Sequence, residues 1–481
     1  MRKFNGGIWA VRASAITLLC GAVTVVLLGQ TAADQRPSPV FILLATFAGP
    51  NGAYPVGGMT QGPDGNIYGT TEEGGAGEQY GYGTVFKVSP SGVQTVIHEF
   101  DLSDGDWPSS ALVLGTDADF YGTTLYGGAN SQYGTAFKIT PSGTFTMLHD
   151  FNGKDGYFPY GGVIQGTDGN FYGTTSSGGA YENGNVYKMT PAGVVTVLYS
   201  FSCSLSDCPD GEEPVGGLVQ ANDGNFYGTT EKGGGANFDG TVFRITPGGT
   251  LTTIHSFEGR DGDDPAAALV QGNDGDLYGT TEGGGSNDIS YGTVFKITLD
   301  GQLTSLYSFT NGKDGAYLVA PLIQGSDGNF YGTANEGGAY GQGTVFEITP
   351  EGAVTVLHSF DREDGREPYA PVFQATNGAL YGTAYIGGAR AGGTAFSIST
   401  GLGPFVRAVP TVGVVGAPAS ILGTNLTGAT GVTFNGVPAS FTIASKTLIK
   451  ATVPAGATTG SVEVARPNRS LSSNVAFQVL P

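Results

Sequence analysis

Histidines, recurring aspartates, loop tyrosines and a cysteine pair are the side chains of this chain best placed for chemistry. His98, His149, His255 and His358 each stand two residues before the Phe that ends a strand, at one fixed place of a repeated unit. Tyr199 and Tyr307 fill that place in two other copies. A side chain reused in this way reads as packing, which leaves no singular histidine to act as a base or metal ligand. Asp104, Asp155, Asp210, Asp261, Asp314 and Asp364 each precede a glycine, with Asn51 in the first copy. Asx-turn chemistry accounts for acids at such positions. The alternative is a Ca2+ site or a polar mouth for a ligand. Aromatics gather on interstrand loops: Tyr80, Tyr82, Tyr126, Tyr181, Phe238, Tyr291, Tyr340 and Tyr385. They read either as loop packing or as platforms for sugar rings, which amphipathic tyrosine suits. Gly-Gly pairs such as Gly74-Gly75 lie between strands and open no helix, so they do not cradle phosphate.

The elements that position these residues follow from one anchor, Tyr-Gly-Thr. Its tyrosines are Tyr68, Tyr121, Tyr172, Tyr227, Tyr278, Tyr331 and Tyr381, 50 to 55 residues apart. A period of this size belongs to solenoids, propellers or arrays. The fourth copy divides into four short runs: 215–220, 225–230, 240–246 and 252–257. Asp223-Gly224 and Pro247-Gly248-Gly249 supply two of the reversals. Four antiparallel strands per unit make a propeller blade. The seventh copy has a third strand, 393–399, and no fourth; the matching strand type stands at Phe41 to Phe47, before the first copy. The first strand is therefore expected to complete the last blade and close a ring of seven, hiding the sheet edges.

Composition limits the partners. Arg2, Lys3 and Arg12, an apolar core over 14–29 and Thr31-Ala32-Ala33 read as an export signal ending at residue 33. No other segment is long and apolar enough to span a bilayer. Removing 1–33 takes away three basic residues and no acidic one, which moves the formal charge from −20 to −23. So acidic a chain repels nucleic acid and anionic membranes. Two cysteines remain, Cys203 and Cys208, in an insertion carried only by the third-to-fourth blade connection. Two cysteines five apart in an exported protein predict a local disulfide.

Beyond residue 403 the repeat stops and Val, Thr, Ala and Pro dominate. Ile421 to Leu426, Val432 to Val437, Ala451 to Pro454 and Gly460 to Val464 alternate as strands of a small sandwich. This stretch resembles an IPT/TIG domain, an immunoglobulin-like fold used in bacterial surface proteins as a spacer or interaction module. The recurring run DGNFYGTT…GG…GTVFKITP resembles the Gloeobacter/Verrucomicrobia-type, or choice-of-anchor, tandem repeat. That resemblance implies an exported bacterial protein. A weaker likeness runs to NHL-type and streptogramin-lyase propellers.

The expected organisation is a signal peptide over 1–33, a seven-bladed β-propeller over 34–402 and an IPT/TIG-like β-sandwich over 403–481. The expected function is non-enzymatic binding or scaffolding in a secreted, periplasmic or surface setting. The expected protein is a monomer without a resident cofactor, with Ca2+ the one candidate ion. Its partner would be an extracellular glycan or surface protein, a neutral polysaccharide before an acidic one. The site is expected on the face of the second-to-third and fourth-to-first connections, because the length variation and loop aromatics fall there. The alternative is a lyase or hydrolase acting on an extracellular polymer through carboxylates and tyrosines. An asymmetric acid set at the central mouth would distinguish it.

Overall fold

The computed structural model describes residues 36–75, 81–129, 132–203, 208–235, 237–286, 291–467 and 469–480. The export signal read in the sequence lies outside them. Seven four-stranded antiparallel sheets form the repeat region, each built from strands consecutive in sequence except the last. In that blade Phe373–Gln374, Leu380–Ala384 and Thr394–Ser399 are completed by Val40–Thr46 from the start of the chain. Val40 pairs with Ser399 and Thr46 with Thr394. The ring closes as the phase of the repeat requires.

Each residue of the triplet has its own task between blades. Where the next blade's second strand begins with Phe, the tyrosine ring packs on it, as Tyr121 does on Phe171 at 4.0 Å and Tyr278 on Phe330 at 4.0 Å; elsewhere it meets Leu277, Leu380 or Ile67. Its hydroxyl donates to the turn aspartate four residues earlier, as Tyr172 does to Asp168 at 2.8 Å. The glycine leaves room for the third-strand aromatic. A Cβ on Gly69 would stand 2.8 Å from Cζ of Phe86, and one on Gly122 2.6 Å from Cζ of Phe137. The threonine hydroxyl reaches the next blade's innermost backbone, as Thr174 does to the Gly216 carbonyl at 3.0 Å. The fourth-strand Phe meets the same third-strand ring, with Phe257 and Phe295 5.3 Å apart. The core is therefore a ring of interblade aromatic clusters.

The innermost strands are shorter than the sequence suggests. The fourth blade's runs only over Val219–Gln220, not over 215–220. Gly216 and Gly217 turn instead around the ring axis, where a Cβ on Gly217 would stand 2.6 Å from the Gly161 carbonyl. Packing at the axis takes precedence over ladder pairing.

The C-terminal region forms two four-stranded sheets and a two-stranded parallel ribbon around a core of Ile421, Val432, Phe434, Ile449, Val462 and Phe477. It abuts the turns of the first and seventh blades. The Thr447 hydroxyl donates to the Pro63 carbonyl at 2.8 Å, and Arg407 Nη2 to the Gln374 carbonyl at 3.1 Å. Among the described residues no helix is long and apolar enough to cross a membrane.

Cys203 and Cys208 form a disulfide with Cα atoms 4.3 Å apart. The closed loop is short, so reduction should cost no more than about 2–3 kcal/mol. A melt with and without reductant checks this; a collapse of the whole ring on reduction would show that the bond does more than restrain its own loop.

Candidate functional site

The fourth-to-first connections are held by the histidines and aspartates singled out above. His98 Nε2 lies 3.0 Å from Asp104 Oδ2, while Asp104 Oδ1 accepts the Asp101 amide at 2.9 Å. His149 and Asp155, His255 and Asp261, and His358 and Asp364 repeat the pair at 3.1, 2.8 and 2.8 Å. Where tyrosine replaces histidine, its hydroxyl donates to the same acid: Tyr199 to Asp210 at 2.6 Å and Tyr307 to Asp314 at 3.2 Å. Burial pushes the Asp155 carboxyl up. The His149 hydrogen bond, the Asn152 amide and the imidazole charge outweigh it and hold Asp155 below its ordinary value. Each aspartate thus clasps its own blade's outer strand to its own loop. In the seventh blade Ala45 replaces the histidine, and Asn51 reaches the Thr46 carbonyl and Gln94 instead.

The singular residues lie inward of these clasps. Each second strand is followed by a residue that the repeat does not fix: Glu72, Leu125, Ser176, Glu231, Glu282, Asn335 and Tyr385 in blade order. A cavity of about 220 Å3 opens at the ring axis, lined by Val56, Glu72, Tyr160, Val215, Tyr369 and Pro371 among others. Burial lifts the Glu72 carboxyl to about 7, opposed by the Tyr385 hydroxyl and reinforced by Glu73. Burial also raises Glu231, with Lys232 opposing, and raises Glu282, with Asp264 adding to it. Tyr369 and Tyr385 pack at 5.2 Å, and Tyr54 and Tyr385 at 5.1 Å.

The loop face carries two sectors of different chemistry. Blades two and three gather Trp107, Tyr126, Tyr133, Tyr157, Phe158 and Tyr160. Tyr126 lies 5.6 Å from Trp107 and 5.1 Å from Phe158, and Tyr157 lies 4.8 Å from Phe158. Tyr126, Tyr133, Tyr157, Phe158, Gln132 and Glu182 line a pocket of about 380 Å3. Blades four and five carry acids in the same region: Glu212, Glu213, Glu231, Asp239, Asp263, Asp264 and Glu282. Lys232 sits among them with its ammonium on Asp264.

Of the residues proposed from sequence, Tyr126 belongs to the aromatic pocket and Tyr385 to the axial mouth. Tyr181 and Tyr340 stand apart on loops, 60% and 65% exposed. Phe238 is half-buried beside Asp239, at a φ of 63°. Tyr291 packs on Tyr317 at 6.0 Å, and Tyr82 packs against the cluster of Tyr68 and Phe100. Tyr80 lies outside the described residues. Glu72, Glu231, Glu282, Tyr160, Tyr369 and Tyr157 were missed. Their signal is departure from the repeat, visible only when copies are compared column by column.

Among the described residues one group of three potential metal ligands comes within 4.8 Å, namely Cys203, Cys208 and Glu212. Its two sulfurs are bonded to each other.

Fold and face together define a β-propeller with an asymmetric loop face, followed by an immunoglobulin-like domain. Residues 35–238 and 221–440 match the Gloeobacter/Verrucomicrobia repeat, and residues 404–479 match the IPT/TIG domain. The chain belongs to the Gloeobacter/Verrucomicrobia repeat family and carries a C-terminal IPT/TIG domain. No curated protein matches it. Among solved structures it resembles the extracellular domain assigned to a hybrid two-component system of B. thetaiotaomicron. The likeness has 11% identity and a TM-score of 0.51, over 90% of this chain and 54% of that one. This chain therefore spans about half that protein's length, and the likeness concerns the fold alone. A Bacteroides fragilis protein assigned as a 6-phosphogluconolactonase aligns at 16% identity over 66% of this chain and 86% of its own, with a TM-score of 0.42. That value carries no functional argument.

Proposed function

We propose that this chain is an exported recognition protein whose loop face binds a neutral, hydroxyl-rich polysaccharide. The propeller provides the binding surface and the IPT/TIG domain spaces or docks it. The observation that carries this reading is the aromatic sector: rings from two adjacent blades line one pocket, with Gln132 and Glu182 at its rim. Sugar rings present flat C–H faces to such aromatics, and their hydroxyls bond to amides and carboxylates. The acids of blades four and five disfavour polyanionic glycans. The disulfide suits an oxidising compartment.

A glycan array of the mature protein, with and without Ca2+, identifies the ligand class. Replacing Tyr126 and Tyr157 by Ala should then weaken binding about tenfold per ring, equivalent to roughly 1.4 kcal/mol each. Asp168→Ala, on the opposite face, should leave affinity unchanged. Binding lost through Asp168 but not through the tyrosines would put the site on the wrong face.

The second reading is turnover, and Glu72 is the observation that favours it. A carboxyl lifted to about 7 and facing a tyrosine hydroxyl is suited to proton transfer near neutrality. Steady degradation of an array-identified polymer, abolished by Glu72→Gln, would establish catalysis in place of recognition alone.

A further inference from the structure

The geometry points to a second ligand site, remote from the loop face, that takes a small hydroxylated carboxylate of the sugar-acid class. It is a cleft of about 590 Å3 between the turns of blades one and seven and the IPT/TIG domain. Its floor contains Gln61 and Tyr381, 6% and 3% exposed, and its outer wall carries Asn425 and Lys446.

Two donors in the floor are released from bonds that their counterparts make. In five other blades the innermost glutamine Nε2 donates to a glycine carbonyl of its own turn, as Gln165 does to Gly169 at 3.1 Å and Gln271 to Gly275 at 2.8 Å. Gln61 Nε2 has no such partner among the described residues. Its orientation is fixed, because Oε1 accepts the Thr376 amide at 3.0 Å. In the first six blades the triplet tyrosine donates to an aspartate, as Tyr68 does to Asp64 at 2.8 Å. The seventh blade has Asn377 in that position. Asn377 Oδ1 already accepts the Ala379 amide at 3.0 Å, so Nδ2 faces Tyr381 and donates to its oxygen at 2.9 Å. The Tyr381 proton is left without an acceptor among the described residues.

The outer wall continues the pattern. Lys446 Nζ and the Asn425 side-chain amide also lack partners among the described residues, while Arg466 Nη1 fixes the Thr424 carbonyl at 3.2 Å. A cleft with two nearly buried donors and a free ammonium calls for an acceptor-rich, negatively charged ligand. Asp64 stands at the rim, its carboxylate bonded by Asn66 and Tyr68. That negative charge, the one carboxylate in the cleft lining, favours a monoanion over phosphate. The hydroxyls of Ser89, Ser91 and Thr424 provide partners for ligand hydroxyls. The volume lies within the range of small-molecule sites.

Isothermal titration of the full chain with D-glucuronate tests this, with D-glucose and inorganic phosphate as comparisons. Saturable one-to-one binding of glucuronate is expected, at least tenfold tighter than either comparison. Tyr381→Phe and Lys446→Met should each weaken it several-fold while leaving the melting temperature unchanged, and Tyr126→Ala should have no effect. The last variant separates this site from the proposed glycan face. No binding of glucuronate at millimolar concentration would overturn the proposal. So would equal binding of phosphate, undiminished binding by both Tyr381→Phe and Lys446→Met, or loss of binding through Tyr126→Ala.

Discussion

Deletion of residues 34–48 should yield a chain that aggregates, not one that merely melts a few degrees early. The strand Val40–Thr46 is the outer member of the seventh blade, paired along Thr394–Ser399. Its loss frees one edge of that strand, and unpaired edges recruit other chains. It also strips the aromatic packing at the ring's seam. Phe41 stacks on His358 at 3.9 Å and on Phe396 at 5.3 Å. Phe47, just beyond the strand, is fully buried and meets Phe86 of the first blade at 4.9 Å. The deleted segment therefore joins the last blade to the first. Phe47→Ala alone should cost about 3–5 kcal/mol, the usual range for a buried Phe truncation. Size-exclusion chromatography and thermal melts of both variants measure the effect. A truncated protein that elutes as a monomer and melts like its parent would refute closure by this strand.

That closure was legible because it rests on what repeats. Tyr-Gly-Thr recurs since a stacked ring, a cleared Cβ position and a bridging hydroxyl are needed between successive blades. The phase of the array then identifies which strand is missing. The clasps were half legible. The spacing of His98 and Asp104 marked both as repeat features, but their contact across the strand end is a tertiary fact. Read alone, the aspartates suggested a turn or a mouth; in three dimensions they bond outward to histidine or tyrosine. The site was least legible for the opposite reason. Glu72, Tyr160 and Tyr369 matter where they differ from the repeat, and they come from separate blades that meet only at the axis. Exposure on a loop does not by itself report convergence: Tyr181 and Tyr340 are both accessible and stand outside the aromatic pocket.

Glu72→Gln should make the protein more stable above neutrality and a weaker binder at the same pH. Burial raises the Glu72 carboxyl from an ordinary 4.5 to about 7, so the folded protein holds this proton more tightly than the unfolded chain. Between those values the native state carries more protons, and stability falls as pH rises. Above pH 7 the cost of an ionised, half-buried carboxylate is present in full. Glutamine removes that cost, so the variant should exceed the parent at pH 8 by about 1–3 kcal/mol, discounted for partial solvation. The gap should close below pH 4.5, where the parent carboxyl is protonated in both states. The binding effect has the opposite sign. A carboxylate accepting hydrogen bonds from ligand hydroxyls contributes about 1.5–3 kcal/mol, so the variant should bind an array-identified glycan at least tenfold more weakly at pH 8. The parent's own affinity should decline as pH drops below 7, while that of the variant stays flat. Chemical denaturation and titration calorimetry at pH 5 and pH 8 measure both sides. A variant equal to the parent in stability and affinity at both pH values would reduce Glu72 to an incidental surface acid. A gain in stability coupled to a loss of affinity would show that the axial mouth tolerates a destabilising charge for the sake of its ligand.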